Sequence, residues 1–340
     1  MQGPLTDEDL EAGVAAGIIT RQQLDALRAH ASARAPHPEA DEERFRVLGG
    51  FNDILVAIGL ALLIGGFFTA SSATGNAFVI TIAAIALSWG LAEVFTARLK
   101  LALPSIMLSA MFVASVAIIA GATDPVELMG DAYGAIICLA GSGAALLHFW
   151  RFRVPIDIAI AAAGVCGAVI AVLTALPQGE GLFPFITLGC GLAVFALAMS
   201  FDIRDPARRT RLSDIGFWLH LLAAPLIVHS IISGLVGGRE GAEAAAPAIT
   251  LGLFAVFAVI ALVVDRRALL VSGLGYAGYS LATLFERAGA ETSILTTITL
   301  LVMALIVLGV SAGWRSLRAA IVPILPLGGL VERLPSATRR

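Results

Sequence analysis

Residues 101–120 read LALPSIMLSAMFVASVAIIA, a run without any charged side chain that directly follows Arg98 and Lys100. A helix of about 20 residues rises about 30 Å, which is the thickness of the hydrocarbon core of a bilayer. The segment must be helical if it crosses a membrane, because an open strand would leave backbone groups unpaired in lipid. We therefore predict a transmembrane helix here.

The same pattern recurs along the chain, in apolar runs of roughly 17 to 22 residues separated by short loops that hold almost every charge. Of 340 residues, 58% are hydrophobic and 14% are charged, a balance that leaves a water-soluble fold too little polar surface. We predict an all-α, polytopic transmembrane helix bundle of about ten spans in a lipid bilayer. The predicted spans are residues 54–70, 78–96, 101–120, 132–149, 155–176, 182–201, 216–236, 245–264, 269–285 and 293–312.

Basic residues segregate to alternate loops, and this sets the predicted orientation. Loops that stay in the cytosol retain Lys and Arg, whereas translocated loops lack them. The loops predicted to be outside hold only Arg239 and Arg287. We therefore predict that both termini are cytosolic. The basic residues on the predicted cytosolic side are Arg44, Arg46, Arg98, Lys100, Arg151, Arg153, Arg204, Arg208, Arg209, Arg211, Arg266, Arg267, Arg315 and Arg318.

The polar N-terminal segment, residues 1–34, is predicted to be a cytosolic helical hairpin. Gly17 is expected to end its first helix, and Thr20 with Gln23 forms a capping box for the second. So small a core is not stable alone. We expect the hairpin to dock on the membrane domain, on a second copy or on a protein partner.

Three further segments complete the predicted organisation. Residues 35–50 are rich in proline and acidic side chains, which is typical of a linker. Residues 51–316 form the ten-span domain. Residues 317–340 are apolar at first but are broken by two prolines, and we predict an interfacial or cytosolic tail.

Two segments near the N-terminus carry a distinctive pattern. It consists of Leu10, Ala12, Gly13, Ala16, Gly17, Ile18, Ile19, Thr20, Gln23 and Leu24, and of the segments 43–46 and 49–53. This pattern resembles a family of predicted bacterial membrane proteins that is catalogued as a domain of unknown function with an N-terminal cytosolic helical hairpin. The resemblance implies a multi-pass protein of the bacterial inner membrane and supplies no catalytic residues.

Motifs for common chemistries are missing from the sequence. Neither a zinc-protease HExxH nor a GxSxG elbow occurs, and the three cysteines lie in apolar runs without a CxxC pair. The glycine-rich segment 273–278 matches the dinucleotide fingerprint but lies inside a predicted span, where small residues serve helix packing. The net charge of −3 gives no support for nucleic-acid binding. We predict no catalytic residue, metal site or cofactor.

The seventh predicted span is the most unusual one, because it holds His220, Pro225 and His229. Proline cannot donate the helical hydrogen bond, so a kink near the membrane centre is expected, and such helices line transporter cavities. His229 is a substrate-site candidate or a neutral histidine bonded to a neighbouring helix. Tyr276 and Tyr279 of the ninth span are further candidates for the lining of a substrate cavity.

Four acidic residues lie close to predicted cytosolic helix ends. Asp53, Asp157 and Asp214 begin outward-running helices, and Glu93 lies about one turn before the end of its span, within reach of Arg98. The aspartates can cap free backbone N–H groups. Alternatively, with nearby arginines they form a gate at the cytosolic mouth. No carboxylate lies at the middle of a span, which argues against a proton or sodium relay at the midplane.

Two functional hypotheses follow. The first is a small-solute or lipid permease, whose ten-span, N-in layout is similar to that of the drug/metabolite transporter group. The second is a non-transporting membrane subunit or scaffold, whose cytosolic hairpin recruits a partner. An enzyme ranks third, since no catalytic pattern supports one.

Overall fold

The computed structural model is helical almost throughout, and the residues it describes include no strand. These residues are 7–34, 51–122, 133–177, 179–205, 208, 210–236, 242–287 and 292–325. The predicted all-α bundle is thereby confirmed. Its described helices are α1 (Asp7–Ala15), α2 (Arg21–Arg34), α3 (Phe51–Thr74), α4 (Ala77–Ala92), α5 (Ala102–Ala122), α6 (Tyr133–Phe152), α7 (Ile156–Thr174), α8 (Gly179–Arg204), α9 (Arg211–Val236), α10 (Ala242–Val264), α11 (Ala268–Arg287) and α12 (Thr292–Ile321).

In the described part of the chain, nine helices are long and apolar enough to cross a membrane, and each overlaps a predicted span. The protein is therefore a multi-pass membrane protein. Helix α11 coincides with the predicted span 269–285 and has 20 residues, but it is not among the nine. The tenth crossing stays a prediction. Helix α12 runs to Ile321, well past the predicted end of its span.

The chain divides into two compact units, Met1–Arg44 and Phe45–Arg340. In the first unit, Gly17 has a φ of 71° just after α1 ends. The N–H of Thr20 donates to Gln23 Oε1 over 2.9 Å, and the N–H of Gln23 donates to Thr20 Oγ1 over 3.2 Å. The predicted helix end and capping box are both confirmed. The segment predicted as a linker lies outside the described residues.

In the second unit, consecutive helices pack as antiparallel neighbours, and α7 connects the two halves of the bundle. It contacts α6 on one side and α8 and α9 on the other. Beyond it, α9 also packs on α10 and α11, and α12 packs on α10 and α11. The prolines Pro184, Pro225 and Pro247 all lie inside helices.

The turns at the predicted cytosolic end share a backbone feature. Lys100, Arg153 and Asp265 each follow a helix and adopt a left-handed φ, of 54°, 57° and 59°. A left-handed residue at this position lets a helix end satisfy its last carbonyls, although glycine adopts it more readily. The next helix then begins within three residues of each of these positions.

Small residues let α6 and α7 approach closely. A Cβ atom added at Gly167 would lie 2.8 Å from Cys138 Sγ, and one added at Gly164 would lie 2.6 Å from the Cys138 carbonyl oxygen. Across the same contact, the Ser142 hydroxyl donates to the Ala161 carbonyl over 2.9 Å. Such close backbone approach is typical of membrane helix pairs.

The substitution Gly164→Ala is expected to lower the free energy of unfolding by about 1–3 kcal/mol, because the new methyl group meets backbone that cannot move away cheaply. Gly143→Ala in the partner helix is the matched control, since nothing lies within 4 Å of its added Cβ. Titration of the detergent-solubilised proteins with dodecyl sulfate measures the free energy of unfolding of both variants. Equal stability of the two variants would contradict the close contact.

Candidate functional site

Helices α5, α6 and α7 bring three polar side chains together in the bundle interior: Ser109, His148 and Asp157, here called the His148 cluster. His148 Nδ1 lies 2.7 Å from Asp157 Oδ2, and the Ser109 hydroxyl donates to Asp157 Oδ1. All three residues are fully buried. The carboxylate of Asp157 thus pairs with two other helices, and α7 has no side-chain cap.

The α6–α7 turn explains why these residues meet. His148 is four residues before the end of α6, and Asp157 is the second residue of α7. The two helices are antiparallel and joined by a turn of three residues, so the last turn of α6 faces the first turn of α7. His148 and Asp157 therefore lie within about one helical turn, roughly 5 Å, of the end of the bundle.

Aromatic rings surround the His148 imidazole. The ring centroids of Phe152, Phe112 and Trp89 lie 4.6, 5.8 and 6.3 Å from its own. In these surroundings His148 Nε2 is buried and has no hydrogen-bond partner among the described residues. Buried polar atoms are usually paired, so an orphaned ring nitrogen indicates a position for a ligand or a proton.

A second buried group, here called the Asp202 cluster, joins α8, α9 and the α10–α11 turn. Asp202 Oδ2 lies 2.9 Å from His220 Nε2 and accepts from Arg266 Nε over 3.2 Å. Arg266 Nη2 donates to Asp202 Oδ1 and, over 3.1 Å, to both the carbonyl and the hydroxyl oxygen of Ser213. An added Cβ at Gly216 would lie 2.6 Å from Asp202 Oδ1, so glycine makes room for the carboxylate.

The neighbouring residue, Asp265, anchors a third group. Its Oδ1 accepts from Trp314 Nε1 over 2.8 Å, and its Oδ2 lies 3.1 Å from Arg208 Nη1 and 3.5 Å from Arg318 Nη1. Together, Asp265 and Arg266 tie α8, α9 and α12 to the α10–α11 turn. His220 Nδ1 in the first of these groups is buried and has no hydrogen-bond partner among the described residues. We expect the two groups to brace the helices that they join.

The structure places the predicted gate residues in four different settings. Asp157 belongs to the His148 cluster. Glu93 lies in a π-helix, Glu93–Arg98, that continues α4, and it pairs with Arg151 over 2.5 Å at a partly exposed position. Asp53 is fully buried at the start of α3, whereas Asp214 is exposed at the start of α9.

The predicted substrate residues are not gathered at one point. His220 is buried in the Asp202 cluster, whereas His229 is exposed, with its ring centroid 6.5 Å from that of Phe183. Pro225 is partly buried between them. The side chains of Tyr276 and Tyr279 lie outside the described residues.

Sequence reasoning missed His148, Ser109, Asp202 and Arg266. The available signal was the register of the short hairpins, because His148 is four residues before one helix end and Asp157 two residues into the next helix. Ser109 gave no such signal, since contact between α5 and α7 depends on helix packing. Among the described residues, no three His, Cys, Asp or Glu side chains are placed to hold a metal ion.

Fold and site together define a polytopic α-helical membrane protein with buried histidine–carboxylate pairs near one end of its bundle. No family model matches the chain, and neither the curated proteins nor the solved structures contain a match. The family resemblance of the N-terminal segment therefore stays a prediction.

Proposed function

We propose that this protein is a permease for small solutes or lipids in the bacterial inner membrane, with both termini in the cytosol, and that its solute meets the His148 cluster near the cytosolic end. The observation that carries the proposal is the fully buried Ser109–Asp157–His148 contact, in which His148 Nε2 has no hydrogen-bond partner within the described part of the chain. Ionisable groups inside a membrane bundle are expensive and usually mark pathways for substrates, ions or protons.

A contribution to stability alone does not explain why the residues of the His148 cluster are polar. Replacing a buried ionic group by well-packed apolar residues is often neutral or even stabilising. The surrounding rings of Phe112 and Phe152 would accept such a replacement, since they already form an apolar wall. A role in binding accounts better for a histidine and a carboxylate at this place.

Other residues fit the same function. The exposed His229 and the helix-interior Pro225 lie further along α9 and would line the route through the bundle. The Glu93–Arg151 pair lies in the turn region next to the cluster and would open and close its mouth, together with Asp53. Asp214 completes the proposed gate from α9.

The test begins with ligand binding to the purified full-length protein. A panel of amino acids, sugars, organic acids, amines and short-chain lipids is screened for compounds that raise the melting temperature, because a bound ligand stabilises the folded state. Flux of each hit is then measured in proteoliposomes. We expect Asp157→Asn to lower that flux at least about tenfold, because the variant cannot form the charged pair with His148.

Two controls sharpen this experiment. Asp25→Asn changes an exposed aspartate of the N-terminal hairpin, which is not part of the proposed route or gate, and should leave the flux within about twofold of wild type. If the variants His229→Ala and Pro225→Ala transport at the wild-type rate, these two residues do not line the route. If no compound crosses faster than it does through empty liposomes, the permease proposal fails.

The scaffold remains the second candidate, on one observation. In the N-terminal unit, Leu24 is buried but Ile18 is 78% exposed and Leu27 is 47% exposed, which leaves apolar surface for another protein. Affinity capture with and without residues 1–40 separates the candidates. Partners that depend on these residues favour the scaffold, and an unchanged set of partners counts against it.

A further inference from the structure

We propose that His148 and Asp157 form a proton-binding site, so that the protein couples its solute to protons at the cytosolic end of the bundle. This inference rests on the proposed permease function and names its coupling ion. It depends on the geometry of the pair, on its complete burial and on His148 Nε2, to which no described residue forms a hydrogen bond.

The contacts fix where the proton is gained and lost. Asp157 Oδ1 already accepts the Ser109 hydroxyl, so Oδ2 is left for His148 Nδ1. With Asp157 ionised, Nδ1 carries a hydrogen and Nε2 is a bare lone pair. Uptake of one proton at Nε2 then converts imidazole to imidazolium, and release returns it to water.

The net charge of the pair explains what this proton does. Without it, the pair is an ionised carboxylate beside a neutral ring and carries one net negative charge. With it, carboxylate and imidazolium cancel. A net charge among aromatic rings is unfavourable, whereas a neutral, hydrogen-bonded pair is tolerated. Loading and unloading the site thus changes the electrostatics of the route for a solute.

The other charged groups near this pair lie on the helices packed against α6 and α7. Helices α8 and α9, which pack against α7, bring the exposed Arg204, Arg211 and Asp214 to the same end of the bundle, together with the paired Asp202 and His220. Helix α6 packs against α5, α7 and the π-helix that ends α4. Helix α5 has no charged residue, and α7 contributes Asp157 itself. The π-helix brings Glu93, which Arg151 of α6 neutralises over 2.5 Å, and the exposed Arg98. The exposed groups among these are screened by water, whereas a proton at His148 acts inside the buried pair.

The Asp202 cluster provides an internal contrast. There the carboxylate faces a histidine as well, but Arg266 supplies a permanent positive charge over two contacts. Asp202 and Arg266 already cancel, so a proton added to His220 would create a charge rather than remove one. We therefore assign proton binding to His148 and a bracing role to His220.

The experiment uses full-length protein with ¹⁵N-labelled histidine side chains in lipid nanodiscs. Long-range ¹⁵N spectra between about pH 5 and pH 9 report the protonation of each ring nitrogen. We expect one buried histidine whose Nε2 changes from a bare to a protonated nitrogen, and whose signals vanish in His148→Gln. Asp157→Asn should abolish this titration, while His229→Gln should leave it unchanged.

A second readout counts protons directly. A pH jump in weakly buffered solution should release one proton per chain more from wild type than from His148→Gln or Asp157→Asn. Folded wild-type protein in which His148 keeps one protonation state throughout would overturn the proposal. If His148 titrates but no solute flux is found, the proton site is supported and the permease function is contradicted. If solute flux is found but His148 does not titrate, the permease function is supported and the proton site is contradicted.

Discussion

Replacing Asp202 by alanine is expected to lower the free energy of unfolding by about 3–5 kcal/mol, the usual result of breaking a buried ion pair from one side. Arg266 is 2% exposed and would lose its ion pair with the Asp202 carboxylate, and the buried His220 would lose its contact with the same carboxylate. The buried guanidinium would then lack this counter-charge. The loss of unfolding free energy is measured by unfolding the solubilised protein with dodecyl sulfate while circular dichroism monitors the helix content.

The control for this variant is Arg267→Ala, one position further along the chain. Arg267 is only partly buried, and its guanidinium lies 5.2 Å from the centroid of the Trp314 ring. Loss of such a contact costs about 0.5–1 kcal/mol. If Asp202→Ala costs no more than Arg267→Ala, the Asp202 cluster does not brace the bundle.

The apolar triple variant Ser109→Ala, His148→Phe, Asp157→Leu should fold with a stability within about 1 kcal/mol of wild type, because it removes both halves of a buried polar contact together. Its solute flux should nevertheless fall at least about tenfold, since the ionisable groups in the route are gone. Dodecyl sulfate unfolding and proteoliposome flux, measured on the same preparation, test both halves of this expectation.

This variant separates a binding role from a structural one. A triple variant that is folded and transports at the wild-type rate would show that the His148 cluster only packs helices. The single variant Asp157→Asn serves as a second test, because it changes one atom of the carboxylate and keeps its volume. We expect solute flux to be reduced in both the triple variant and Asp157→Asn.

The sequence predicted the spans well because length and hydropathy decide whether a segment crosses a membrane. Residues 101–120 and the helix Ala102–Ala122 nearly coincide, and the Thr20–Gln23 capping box formed as expected. These features are local. Each depends on residues within one or two turns, so no knowledge of the packing was needed.

The polar clusters could not be predicted in the same way. Ser109 and Asp157 are 48 residues apart, and their meeting depends on which faces of α5 and α7 point inward. In a water-soluble helix the apolar stripe would show that face. In this protein nearly every face of a span is apolar, because the outer faces contact lipid rather than water. No apolar stripe therefore marks the face that points inward.

Strict alternation of the spans is the central claim, since it places the His148 cluster at the cytosolic end. Reporter fusions after Arg153 and after Arg211 test it most directly. Arg153 lies in the α6–α7 turn, Arg211 begins α9, and the Arg211 guanidinium reaches the Arg153 carbonyl over 3.5 Å. We predict that a fluorescent reporter folds in the cytosol at both sites and that a phosphatase reporter stays inactive. Phosphatase activity at either site would contradict the topology and, with it, the proposed cytosolic site.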